Sequence, residues 1–258
     1  MAEVMVGGLR LHVQCLGTGP GTVVFLHGLV MDNLSSWYFT VANPVAQRRS
    51  ALLYDLRGHG RSERPDTGYH LDTLVAELAA LLDLEVEGRV HLVGNSFGGL
   101  LAIAFALAHP SRCAGLVLTD ALLPEPGWGA SMARTLALEG RAREERIAAS
   151  FVKWLGRHSQ RKRNRLATQA RALVEDTSLV SDIAASRSYE DAAYEAIACP
   201  VLALYGAESD VLGQGERLAA RVPQCTLEVF PGCSHSVLWE ETARMRARIV
   251  GWLEPESG

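Results

Sequence analysis

The chain has 258 residues, of which 48% are hydrophobic and 21% charged, enough to bury a sizeable core as one large domain or two small ones. Its formal net charge of −4 speaks against a nucleic-acid binder, and its five irregularly spaced cysteines, with no CxxC pair, speak against a disulfide framework or a zinc site. The opening MAEVMVGGLRLH lacks the basic and then apolar regions of a secretory signal, and no uncharged apolar stretch is long enough to cross a bilayer, so a cytoplasmic protein without membrane contact is expected.

In chain order, VMV and LRLHVQCL flank Gly7-Gly8 and predict a hairpin. TVVFLHG, ending at Gly28, predicts a buried strand, and SSWYFTVANPVAQRR a helix. ALLYDL is a second buried strand, closed by Asp55 and followed by the loop RGHGRSERPDTG. LDTLVAELAALLDL has apolar residues at helical spacing. VHLVG and FGGLLAIAFALAH then read as strand and helix, with Asn95-Ser96 between them. GLVLTD is a further strand ending at Asp120. From Pro124 to about Ala198 the pattern is helical and rich in arginine. VLALYG, ERLAARV, CTLEVF and VLWEETARMRARIVGWL complete the chain as strand, helix, strand and one closing helix. Alternating strands and helices imply a mostly parallel sheet covered on both faces, with chemistry at the carboxyl ends of its strands. The polar residues there are His27, Asp55, Ser96, Asp120, Asp210 and His235.

Ser96 lies between Gly94 and Gly98, where a side chain on a sharp strand-to-helix turn needs small neighbours. The helix that follows directs backbone N–H groups toward it. A serine hydroxyl needs a base. Of eight histidines, His12, His59, His109 and His158 read as surface or structural, while His235 lies in a glycine-containing loop between the last strand and the last helix. The base in turn needs a carboxylate to hold its tautomer. Asp210 is favoured, because the order serine, acid, histidine then places it on the strand end next to His235; Glu208 and Asp120 are the alternatives. The backbone N–H groups of Leu29 and Phe97 are the expected oxyanion donors, with His27 orienting its loop.

The motifs HGL (27–29), DLRGHGRS (55–62), GNSFGG (94–99), YGAESD (205–210) and GCSH (232–235) together resemble the α/β-hydrolase superfamily over essentially the whole chain. The resemblance implies an eight-stranded, mostly parallel sheet, with a core of residues 1–122 and 199–258 and a helical cap at 123–198. The acid motif carries one residue more than the frequent Gly-x-x-Asp form. Absence of an HGGG run separates the chain from the hormone-sensitive-lipase-like branch, and the serine separates it from the aspartate-using epoxide hydrolases and haloalkane dehalogenases. GNSFGG is similar to the elbow of hydrolases that cleave meta-cleavage products, whereas DLRGHGRS looks like the esterase, lactonase and haloperoxidase-like branches.

Three functions follow as expectations. The first is cofactor-free and metal-free hydrolysis of a small-molecule ester, lactone or thioester by Ser96, His235 and Asp210. The second is C–C bond hydrolysis or lysis by the same residues, and the third is small-molecule binding without catalysis. Between Ser131 and Arg171 there are 11 Lys and Arg against 3 Glu, either a solvated helix face or a docking patch for an acyl carrier protein or a CoA thioester. Trp37, Trp128 and Trp154 are candidate pocket aromatics.

Overall fold

The computed structural model describes residues 2–140 and 160–254. The strands are β1 (Ala2–Val6), β2 (Leu9–Leu16), β3 (Thr22–Leu26), β4 (Ser50–Tyr54), β5 (Val90–Asn95), β6 (Cys113–Thr119), β7 (Val201–Gly206) and β8 (Cys225–Phe230). They form one eight-stranded sheet in the order β1-β2-β4-β3-β5-β6-β7-β8. The β1–β2 and β2–β4 pairs are antiparallel, and every other pair is parallel. Gly7 and Gly8 turn the first hairpin at φ +56° and +87°, a pair of left-handed conformations that suits glycine.

The longer helices are α1 (Leu71–Glu85), α2 (Phe97–Ala108), α3 (Trp128–Leu136), α4 (Gln160–Glu175), α5 (Leu212–Arg221) and α6 (Thr242–Leu253). Side chains alternate across the sheet. Val24, Leu26 and Leu92 therefore join a core with α1 and α2, while Val23, Phe25 and Val93 join another with Trp37, Val41 and α6. Burial on both faces explains why these strands read as continuous apolar runs rather than alternating ones.

Two helices depart from expectation. The closing helix is broken into Val237–Glu240 and α6, because Glu241 is non-helical at φ −119° and ψ 41°. The Thr242 hydroxyl donates at 2.8 Å to the Leu238 carbonyl, a local bond that competes with the helical ladder. The segment after Ser35 winds as a helix that widens to a π-type turn at Tyr38–Ala42. Pro44 follows at the start of the next turn and has no N–H to continue the ladder.

Between β6 and β7 the described residues form only helices: α3, α4, Leu179–Ala184 and Asp191–Tyr194. The Asp182 carboxylate accepts the Gly68 and Tyr69 N–H groups at 3.0 and 2.8 Å, which ties this insertion to the loop before α1. Trp154, His158 and the part of the basic stretch at 141–159 lie outside the described residues.

Candidate active site

The parallel strands end at one edge of the sheet, and the candidate residues lie there. Ser96 joins β5 to α2 at φ 52° and ψ −117°. Its N–H donates to the Thr119 carbonyl at 2.9 Å, and its carbonyl accepts the Gly99 N–H at 3.0 Å. The glycines have specific steric reasons. A Cβ on Gly98 would overlap the Leu26 carbonyl, one on Gly94 the Gly98 carbonyl, and one on Gly99 the Ala121 Cβ. Among the described residues the non-glycine positions with positive φ are Val30, Ser96 and Asp120. All three belong to this edge, and such conformations cost about 1–3 kcal/mol each and persist only where the surroundings enforce them.

His235 Nε2 lies 3.0 Å from Ser96 Oγ, and His235 Nδ1 lies 2.7 Å from Asp120 Oδ2. The acid on the imidazole is therefore Asp120, and the preference for Asp210 is corrected. Both carboxylates satisfy the chain order serine, acid, histidine, so order could not separate them. Asp120 ends β6, which pairs directly with β5, and is fully buried; Asp210 lies in the loop after β7 and is exposed on the cavity wall. Glu208 is exposed as well, and its N–H donates to the Cys233 carbonyl at 2.8 Å. The signal in the sequence was an aspartate directly closing a buried apolar strand, a position that requires partners. Asp120 has them: Oδ1 accepts the Gly206 N–H at 2.9 Å, and Oδ2 accepts the Ser209 hydroxyl at 2.5 Å besides His235.

The loop after β3 carries Leu29, and side chains hold it from several sides. His27 Nε2 accepts the Leu56 N–H at 3.0 Å, so Nδ1 carries the proton and donates to the Gly28 carbonyl at 2.7 Å. The Asp32 carboxylate accepts the Gly28 N–H at 2.8 Å and also the Ser36 hydroxyl. Asp55 accepts the Leu34 N–H at 2.8 Å and the Arg61 N–H at 2.9 Å, bracing two loops at once. His59 is buried, accepts the Val30 N–H at 2.8 Å through Nε2 and donates at 2.8 Å to the Arg57 carbonyl through Nδ1. The DLRGHGRS motif is thus scaffolding for the loop opposite the serine.

Burial, with a contribution from His27, pushes the His59 imidazole down to about 3. Between that value and about 6.5 the unfolded chain carries a proton that the folded chain does not, so stability present at neutral pH is lost as pH falls. Lowering the pH from 7 to 5 is expected to cost about 2 kcal/mol through this residue. Urea midpoints at the two pH values, for wild type and His59→Gln, check this: the glutamine variant should show a smaller pH difference, and an unchanged difference would refute the assignment.

Ser96 and His235 open onto a cavity of about 780 Å³. Leu29 and Phe97, the expected oxyanion donors, are also on its wall. Met132, Leu136, Ala170 and Val174 from the insertion supply apolar lining. Trp128 borders the cavity, with its indole N–H on the Arg187 carbonyl at 2.9 Å. Trp37 does not: it is fully buried on the other face of the sheet and donates to the Leu26 carbonyl at 2.8 Å. Asn95 and Trp239 line the cavity without having been singled out from the sequence, though each is a near neighbour of a residue that was. Among the described residues no three His, Cys, Asp or Glu side chains converge as a metal site requires, and no helix is long and apolar enough to cross a membrane.

Comparison with known proteins agrees with this architecture. The family described as alpha/beta hydrolase fold matches residues 21–242. The chain is 28% identical to the 2-hydroxy-6-oxononadienedioate/2-hydroxy-6-oxononatrienedioate hydrolase of Burkholderia vietnamiensis over 275 residues, 95% of this chain and 91% of that protein. It is 41% identical to Lipase LipV of Mycobacterium tuberculosis over 113 residues, 43% of this chain and 42% of that protein. The fold superposes on the enol-lactonase from Burkholderia xenovorans LB400 with a TM-score of 0.78 at 22% identity, covering 98% of this chain and 99% of that one. With a strained serine at the β5–α2 turn, a histidine against it and a family match across most of its length, the chain belongs to the α/β-hydrolase fold family and is a hydrolase of it.

Proposed function

We propose that the protein is a serine hydrolase that cleaves a carboxylic ester, lactone or thioester through an acyl-enzyme. The observation that carries this reading is the relay Asp120–His235–Ser96, with separations of 2.7 and 3.0 Å, beside a largely apolar cavity. Asp120 accepts a hydrogen bond from His235 Nδ1–H, which keeps the proton on Nδ1 and leaves Nε2 free to act as base. Nε2 takes the Ser96 proton as Oγ attacks the carbonyl carbon. The developing oxyanion is held by the Leu29 and Phe97 N–H groups, the second at the N-terminus of α2. The imidazolium then protonates the leaving group. Water, deprotonated by the same imidazole, releases the acid and regenerates Ser96. Residues 1–122 and 199–258 form the core in this reading, and the insertion at 123–198 forms the roof.

Charge on the cavity wall supports a neutral substrate. Asp32, Glu125 and Asp210 face it, against Arg171 as the cation among the described residues. A dicarboxylate would meet repulsion there. The second reading, C–C bond hydrolysis with the same triad, is favoured by the likeness to the Burkholderia vietnamiensis enzyme.

The test is covalent labelling with a fluorophosphonate, followed by turnover of esters, lactones, acyl thioesters and a vinylogous diketone. Wild type is expected to label and Ser96→Ala to remain unlabelled. Labelling of both would move the nucleophile elsewhere, and labelling of neither would favour a binding protein. Turnover of the diketone in preference to every ester would replace the first reading with the second.

A further inference from the structure

The acid loop YGAESD differs from the frequent Gly-x-x-Asp form in a way the structure explains. Counting three residues on from Gly206 reaches Ser209, not an aspartate. The position that would hold the acid in that form holds a hydroxyl. The carboxylate comes instead from the end of the adjacent strand, and the hydroxyl donates to it at 2.5 Å.

We propose that Ser209 is a positioning residue of the catalytic relay, holding Asp120 Oδ2 against His235 Nδ1 and moderating the charge that the imidazole meets. The proposal rests on reading Asp120, His235 and Ser96 as that relay. Ser209 has one hydroxyl proton. Its oxygen accepts the Val211 N–H at 3.3 Å, so the proton is left for the carboxylate. Its backbone is fixed by the turn, with its N–H on the Gly206 carbonyl at 3.2 Å and its carbonyl accepting the Leu212 N–H at 3.3 Å. Both bonds fall on one carboxylate oxygen, since Oδ2 accepts Ser209 and His235 while Oδ1 accepts Gly206. A charge-assisted bond draws electron density from the oxygen that the imidazolium uses. Without it, Asp120 has one restraint fewer and stabilises protonated His235 more strongly.

Other charged and titratable groups also surround the imidazole. Asp32, Glu125, Arg171 and Asp210 face the same cavity. Glu240 accepts the Ser234 N–H at 2.7 Å and the Ser234 hydroxyl at 2.9 Å, bracing the histidine loop. The buried Tyr205 donates to the Ala121 carbonyl at 2.8 Å; burial first, and then the charge of Asp120, push it well above the usual tyrosine range.

The experiment compares wild type, Ser209→Ala and Ser209→Thr as full chains, reading kcat and KM for a nitrophenyl ester across pH and the far-downfield proton resonance of His235 Nδ1–H. Ser209→Ala is expected to lower kcat about tenfold with KM little changed, the size of a lost hydrogen bond to a charged group. Its acid limb should move to higher pH and its Nδ1–H resonance should shift. Ser209→Thr, which keeps the hydroxyl, should restore the limb and the resonance. A Ser209→Ala profile that superimposes on wild type, or a threonine variant that behaves like the alanine one, overturns the proposal. Failure of the relay itself is seen separately, as a wild type that does not react with fluorophosphonate or an Asp120→Asn variant with full activity, and either also removes the basis for Ser209.

Discussion

Asparagine at position 120 is expected to lower kcat by about 10³- to 10⁴-fold while the protein stays folded, the scale on which a triad acid acts. Three donors converge on this carboxylate: Gly206 N–H, the Ser209 hydroxyl and His235 Nδ1–H. An ionised carboxylate accepts all three, whereas asparagine brings an NH₂ group that must face one of them. Turned toward Gly206, the NH₂ meets a backbone donor that cannot rotate away. Turned toward His235, it forces Nδ1 to become the acceptor and moves the ring proton to Nε2. That proton then faces Ser96, and the base is lost. Asp210→Asn has no such consequence for the Nδ1 bond, and a change of less than about tenfold is expected there, in line with an electrostatic effect at an exposed wall position. Steady-state kinetics on one ester decide between the carboxylates, with circular dichroism confirming folding. A larger loss at Asp210 than at Asp120 would reverse the assignment.

Arg57→Met should destabilise the fold by about 3–5 kcal/mol, the usual consequence of stripping the partner from a buried charge. Arg57 sits in the loop after β4 and reaches Glu77 on α1, with Nε and Nη2 both on Oε2 at 2.9 and 2.6 Å. The two side chains are 12% and 4% exposed, so little water is available to take over. Arg57 Nη1 also donates to the Gly68 carbonyl at 2.7 Å, which joins three segments through one guanidinium. Burial raises the Glu77 carboxyl, and the Arg57 charge and hydrogen bonds pull it back only in part. The pair is imperfect, because Glu77 Oε1 is buried and has no hydrogen-bond partner among the described residues.

Two consequences follow from this pair. Because Glu77 titrates above its unfolded range, its contribution to stability is fully present at low pH and diminishes as pH rises through the folded value. Removing Arg57 strengthens that trend, so the deficit measured by urea unfolding should be smaller at pH 5 than at pH 7. Replacing both partners, as Arg57→Met with Glu77→Leu, should recover most of the loss, since a buried pair often does no better than apolar residues of similar volume. A single variant as stable as wild type at pH 7 would show that water reaches Glu77.

Most of the architecture was legible from the chain. Strands such as TVVFL and VLALYG announce themselves as short apolar runs ended by glycine, because a parallel sheet covered on both faces tolerates little else. Ser96 stood out because a strand, a turn and a helix meet there with glycine two residues before and after, and His235 because its loop separates the last strand from the last helix. Those signals are local and depend on periodicity and turn chemistry. The break at Glu241 was hidden, since a threonine hydroxyl turning back on the Leu238 carbonyl leaves no mark on apolar spacing.

The identity of the acid was not local. Asp120 and His235 are 115 residues apart, and three carboxylates lay at plausible strand ends. Which one meets Nδ1 depends on sheet order, which sets β6 between β5 and β7, and on the left-handed conformation of Asp120, φ 47°. The quiet roles of His59 and Ser209 depend on the same packing, as a buried acceptor for Val30 and a hydroxyl donor to Asp120. Residue order along the chain was enough to mark the strands, the turn at Ser96 and the loop of His235. The carboxylate that completes the relay was decided by the folded sheet, because hydrogen bonds act over about 3 Å and the pattern along a chain holds no direct record of such distances.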